Sequence, residues 1–323
     1  MRVFVWNFVI SKKILLMKKT FHICMSCEDE VLCRDVDDHN YFFNSLALAI
    51  FDTDSSLLAD SIMSNHAHEC IRSKVPMEVA KRQRYRYTRY FNAKYRRRGR
   101  LGERRPFITE INGIYHILAA LSYVMRNALH HGIVSTPFAY PFSSVNTLFR
   151  KELGKYDGPS MLIEEQYHRH LPQHRKCPPG YRMNSSGLIL REDVVDIADV
   201  EHIYGTARSF LYYMNRLSGE EWLREQEKDR LEKTPVITLE TIEHGVRFQS
   251  IEQMLSHEHG RSRYQKMTDL DICKLIDQRI VPDLGKQSVY DLSQEEKAFI
   301  ARRIQSEYHL SDAQIRRCLA MSY

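Results

Sequence analysis

In the stretch "SIMSNHAHECIRS", Ser61 to Ser73, two histidines stand one residue apart. Ile62 and Met63 before them and Ile71 after them mark a strand, and strand side chains alternate between faces. The spacing therefore sets the imidazoles of His66 and His68 side by side on one face. Such a pair can ligate a divalent cation, or it can be two polar residues on a wet strand face; the spacing alone leaves both open. Further along, "IYHILAALSYVMRNALHHGIV" has helical periodicity and places Tyr123 and Asn127 one turn apart on the same side. A tyrosine hydroxyl can attack a phosphodiester and become a phosphotyrosine, provided a cation polarises the phosphate. Asn127 would offer that cation a third, oxygen ligand beside the two imidazoles. Mg²⁺ prefers oxygen and keeps water ligands, whereas Mn²⁺ accepts imidazole more readily, so either is the expected cofactor. Taken alone, Tyr123 is an ordinary helix tyrosine.

Between these motifs, "KRQRYRYTRYFNAKYRRRGRLGERR" runs from Lys81 to Arg105 with a single acid, Glu103. The candidate phosphate contacts in it are Arg82, Arg86, Arg89, Arg96, Arg97, Arg98, Arg100, Arg104 and Arg105. Tyr85, Tyr87, Tyr90, Phe91 and Tyr95 are interleaved among them. Arginine neutralises phosphates and aromatic faces take unpaired bases, so the segment reads as a surface for nucleic acid. Some of the aromatics must pack on the core instead. The whole chain supports the charge argument. Residues 1–150 hold 22 Lys and Arg against 13 Asp and Glu, while residues 151–323 hold 25 against 28. A basic first half joined to a slightly acidic second half suits a polyanion at the first half.

The elements that must position these residues follow from pattern. "TFHICM" (20–25) reads as a strand and "DHNYFFNSLALAIFDT" as a helix. "SSLLADSIM" and "HAHECI" are two strands meeting at the turn-prone Ser64-Asn65. A basic helix covers Glu78 to about Arg98 and stops at Gly99, and a second helix runs from about Asn112 to His131. The expectation is an α+β fold, an antiparallel sheet with helices on one face, followed by a mostly helical C-terminal region. Residues 1–16 read as a leader upstream of a natural start at Met17. Residues 17–150 form the first domain and 151–235 an extension with a hairpin around Ser185 to Gly187 and helices at 196–216 and 220–233. A linker-like segment begins at Pro235, and 236–323 form a helical C-terminal domain. There, Ser293 with Glu296 forms a capping box, and Ser311 caps a helix with Ile315 and Leu319 on one side. Arg316 and Arg317 on its other side are compatible with a helix-turn-helix contact to duplex DNA. No apolar run approaches the ~20 residues that span a bilayer. Seven scattered cysteines, an odd number, suit reduced thiols in a cytoplasmic protein.

The order of these features resembles the single-tyrosine HUH transposases, and within them the REP-associated tyrosine transposase branch. That family ends a strand in "MPNHVH", where this chain has "MSNHAH" at Met63 to His68. Its nucleophile helix reads "YI-x-x-NP" before "GLV", matched by "YVMRNA" at Tyr123 to Ala128 and "GIV" at Gly132 to Val134. Its "N-x-x-x-x-x-x-G-x-L" is matched by Asn92 to Leu101, and its closing "P-x-x-Y-x-x-SS" by Pro137 to Ser144. The resemblance covers about residues 19–147. It departs at Ser64 and Ala128, where the family has proline, and at Glu69, where it has an apolar residue; Glu69 should face away from the imidazoles. The resemblance implies a ferredoxin-like domain and a divalent metal on His66 and His68. It also implies cleavage of single-stranded DNA by Tyr123 through a 5′-phosphotyrosine with a free 3′-hydroxyl.

Two other functions draw on the same residues. A non-catalytic, domesticated DNA-binding regulator would bind equally well with Tyr123→Phe and without metal. An RNA-binding protein would prefer RNA over matched DNA oligonucleotides. Whether the chain acts as a monomer or a homodimer is not written in the sequence.

Overall fold

"KTFHICMS" forms strand β1 (Lys19–Ser26), whose alternation sends Ile23 and Met25 to one face and His22 and Cys24 to the other. The computed structural model describes residues 18–27, 29–155, 160–172, 175–215, 256–258, 261–263 and 267–321. The leader over 1–16, the expected helix at 220–233 and the linker start at Pro235 lie outside them. Helix α1 (Val36–Asp52) begins at a capping box in which the Asp35 and Asp38 side chains each accept from the other's backbone N–H. Strands β2 (Ser56–Ile62) and β3 (His66–Ser73) then meet where the sequence predicts. The basic helix, α2 (Pro76–Tyr95), stops three residues before Arg98, because Arg96 already takes a left-handed φ of 54°.

A fourth strand, β4 (Phe107–Ile111), pairs with the open edge of β1. The sequence reading omits it: five residues, mostly half-exposed and including Thr109 and Glu110, carry no clear alternation. Helix α3 (Ile114–His130) follows. All strand pairs are antiparallel in the order β2-β3-β1-β4, the ferredoxin-like arrangement. Helices α1 and α2 cover one face through Phe42, Phe43, Leu46, Val79 and Phe91, packed on Ile23, Ala67 and Ile71. The opposite face is covered as well. There α3 packs Leu118, Leu121 and Val124 against Leu58, Cys70 and Ile111. Because α3 leaves from the unread strand β4, its crossing to the far face was not legible.

Residues beyond 150 join the same two cores. Met183, Ile189, Val194 and Val195 enter the first. Helices α4 (Ile197–Tyr204) and α5 (Ala207–Asn215) enter the second through Val200, Tyr204, Phe210 and Met214. The single helix expected over 196–216 is broken at Gly205, whose φ of 77° no regular helix accepts. The hairpin at 185–187 is a turn closed by one bridge, Met183 to Ile189. A third core holds α6 (Asp269–Leu275), α7 (Gln294–Tyr308) and α8 (Asp312–Cys318), joined by Val31. The Ser293–Glu296 capping box and the Ser311 cap form as predicted. This unit docks beside the β2–β3 turn. The Arg34 guanidinium donates to Asp277 at 2.7 and 2.9 Å, and Ser64 Oγ donates to Asp269 Oδ2 at 2.6 Å.

One duplex-contact candidate changes place. Arg317 is buried rather than solvent-facing, because Asp269 takes its guanidinium in a two-pronged ion pair at 2.9 and 3.0 Å. Arg316 lies nearer the surface, 2.7 Å from Asp312. None of the seven cysteines forms a disulfide. Among the described residues no helix is long and apolar enough to cross a membrane.

Glu69 points away from the histidines, toward α2, where Gln83 donates to its Oε1 while Oε2 has no partner. Burial pushes its carboxyl up to about 8. A carboxyl raised in the folded state contributes its stability below the unfolded value, near 4.5, and loses it as pH rises toward 8. Glu69→Gln, which mimics the protonated form, should therefore match the parent near pH 4.5 and exceed it by a few kcal/mol at pH 8. Denaturant unfolding at both pH values checks this; a difference independent of pH contradicts it.

Candidate functional site

The pleat of β3 turns His66 and His68 to the α3 face, and the helical repeat of α3 turns Tyr123 and Asn127 toward them. His66 Nε2 lies 3.0 Å from Asn127 Oδ1, and Asn127 Nδ2 donates to the Tyr123 hydroxyl at 3.3 Å. The His66 and His68 rings are 5.1 Å apart, and the His68 and Tyr123 rings 5.3 Å. Four residues from two elements distant in sequence thus converge. All are buried, Tyr123 at 8 % exposure and His68 at none.

Burial also settles the charge. It pulls His66 down to about 4 and His68 well below the ordinary imidazole value, so both rings are neutral at pH 7. A neutral ring carries one proton, yet His66 faces two oxygens: Asn65 Oδ1 at Nδ1, 2.8 Å away, and Asn127 Oδ1 at Nε2. One contact is therefore acceptor against acceptor. Either one of the two amides turns over, or a cation takes the facing lone pairs of His66 Nε2 and Asn127 Oδ1. The 3.0 Å separation is what two adjacent ligands of an octahedral cation keep at about 2.1 Å each. His68 Nε2 is also buried with no hydrogen-bond partner. The donor set of His66, His68 and Asn127 fits a divalent cation. Among the described residues there is no group of three or more His, Cys, Asp or Glu suited to a metal, so a cation here would need the Asn127 oxygen as its third ligand.

Three more histidines belong to this cluster. His22 Nε2 lies 3.0 Å from His68 Nδ1, the His131 ring 5.0 Å from that of His66, and the His130 ring 5.9 Å from that of Tyr123. His130 and His131 follow Tyr123 by seven and eight residues, a spacing that already put them on its helix face. His22 could be found only from the pairing of β1 with β3.

The arginines divide into two groups. Arg86 is bound to Asp52, which also takes Arg175 at 2.6 and 2.8 Å. Arg82 pairs with Glu78 at 2.7 Å, Arg97 with Glu30, and Arg89 donates to Tyr85 Oη. These four, expected as phosphate contacts, are held by the protein itself. Tyr87, Phe91 and Tyr95 are core residues and Tyr90 stacks on Tyr41, which leaves Tyr85 as the exposed ring of the series. Arg96, Arg98, Arg100, Arg104 and Arg105 are exposed on the loop after α2, and among the described residues none of them pairs with an acid. That loop is held against the end of β1 at Gly102, where a Cβ would come within 2.5 Å of Ser26 O. Leu101 of that loop packs into the core under α1 and α2, so the arginines sit on that side of the sheet, whereas His66 and His68 face α3. A cleft of about 680 Å³ runs between these arginines and Tyr290 and Ala320 of the C-terminal unit.

Replacing Arg96, Arg98, Arg100 and Arg104 by alanine should flatten the salt dependence of single-stranded DNA binding. The log–log slope should lose about 0.7 for each phosphate contact removed. Arg86→Ala should leave that slope alone. Fluorescence anisotropy across a salt series reads both, and an unchanged slope in the quadruple variant would place the strand elsewhere.

No family model matches this chain, and no curated protein matches it. Among solved structures it is similar to a REP-associated tyrosine transposase bound to a REP hairpin, with 14 % sequence identity and a TM-score of 0.33. The match covers 44 % of this chain and 84 % of that one.

Proposed function

We propose that this protein is a metal-assisted single-stranded DNA endonuclease and strand transferase with Tyr123 as its nucleophile. The observation that supports it is the convergence of the Tyr123 hydroxyl, the Asn127 amide and the neutral His66–His68 pair at one buried place. Tyr123 Oη loses its proton to solvent and attacks phosphorus, an oxygen–phosphorus bond forms, and the bond to the 3′ oxygen breaks. That oxygen takes up a proton and leaves as a free 3′-hydroxyl, while the 5′ phosphate stays on the tyrosine. A 3′-hydroxyl from a second strand can reverse the step, so the phosphodiester energy is conserved.

The side chains divide the work. Asn127 Nδ2 holds the tyrosine oxygen, and one turn of helix fixes their spacing. A divalent cation bound at His66, His68 and Asn127 would supply polarisation of the scissile phosphate. The exposed Arg96, Arg98, Arg100, Arg104 and Arg105 bind the strand. With Tyr123 only 8 % exposed, a phosphate reaches the hydroxyl only when the side chains over it shift. That burial is also what favours the rival reading, a DNA-binding protein without catalysis.

The test is incubation with hairpin and single-stranded DNA labelled at the 5′ or the 3′ end, with Mg²⁺ or Mn²⁺ present. The expected result is protein trapped on the 3′ fragment through its 5′ phosphate. Tight binding with no covalent product favours the non-catalytic reading.

A further inference from the structure

His22 lies on β1, wholly buried, diagonal to His68 on the same sheet face. Its Nε2 is 3.0 Å from His68 Nδ1, and the two rings stack with centroids 5.1 Å apart. We propose that His22 is a positioning residue that accepts a hydrogen bond from His68 Nδ1–H and so keeps His68 Nε2 as a bare lone pair. This rests on the reading of His66, His68 and Asn127 as a divalent-cation site.

The bond between two neutral imidazoles has two polarities. If His22 donates, the proton of His68 sits on Nε2 and that nitrogen cannot be a ligand. If His68 donates, its Nε2 is open. Ligating histidines ordinarily give their second N–H to a carboxylate, a carbonyl or water, which fixes the ring and its tautomer. Here the place is taken by an imidazole. Its own far nitrogen, Nδ1, is buried with no hydrogen-bond partner. A buried polar ring with one hydrogen bond is costly to keep. The contact with His68 is what the burial secures. Glu69, the carboxylate nearest in sequence, is turned to the opposite face and bound by Gln83, so it cannot substitute.

The experiment is titration of the full chain with Mn²⁺ alone, followed by calorimetry, for the parent, His22→Phe and His22→Gln. His22→Phe should weaken Mn²⁺ binding by about 10- to 100-fold with unchanged far-ultraviolet dichroism. His22→Gln, whose amide oxygen can accept from His68 Nδ1, should recover most of the loss. On the unmutated chain without metal, ¹⁵N side-chain spectra should show His68 protonated at Nδ1, which reads the polarity of the His22–His68 bond even if His22→Phe does not fold. Parent-like Mn²⁺ affinity in His22→Phe, or His68 protonated at Nε2 in the metal-free chain, overturns the role of His22 and leaves the cation site standing. No Mn²⁺ binding by the parent overturns the cation site and this proposal together.

Discussion

Tyr123→Phe is expected to abolish the covalent protein–DNA adduct and to reduce strand cleavage on the order of 10³-fold or more, the scale of losing a nucleophile. The substitution removes one oxygen and keeps the ring that packs on His68. The lost hydrogen bond from Asn127 costs about 1 kcal/mol, so the fold should survive. Competing tyrosines are otherwise engaged. Tyr87 Oη donates to Leu32 O, Tyr95 Oη to Asp38, and Tyr85 Oη accepts from Arg89. Tyr90 stacks on Tyr41, and Tyr115 has Ala119 rather than an amide one turn on. A denaturing gel of a labelled strand reads the outcome. An adduct of parental yield in the Phe variant would remove Tyr123 from its role.

His66→Ala and His68→Ala should each remove cleavage and Mn²⁺ binding while leaving DNA affinity within a few-fold of the parent. The imidazoles are two of three proposed ligands, but they are few beside the arginine contacts that hold the strand. Chelation of divalent cations from the unmutated protein should have the same effect. Calorimetry with Mn²⁺ separates the cases, since an undiminished signal in the double variant means that the pair is structural.

What could be read from the sequence was local. His66 and His68 share a face by strand alternation, Tyr123 and Asn127 by the helical turn, and the helix caps at Ser293 and Ser311 by residue type. What could not be read depended on contacts between distant segments. Arg82, Arg86 and Arg97 looked like free cations until Glu78, Asp52 and Glu30 were seen against them. Arg317 looked like a surface contact until Asp269 drew it inward. His22 has no local signal at all, because only the β1–β3 register brings it to His68. The short strand β4 failed for a different reason: a half-exposed edge strand needs little apolar alternation.

Mass spectrometry of the protein trapped on single-stranded DNA tests the nucleophile most directly. After nuclease and protease digestion, the peptide spanning Tyr123 should carry the residual nucleotide phosphate on that tyrosine, and only when Mg²⁺ or Mn²⁺ was present. Nucleotide on any other residue, or none on Tyr123 under conditions where the strand is cut, would contradict it.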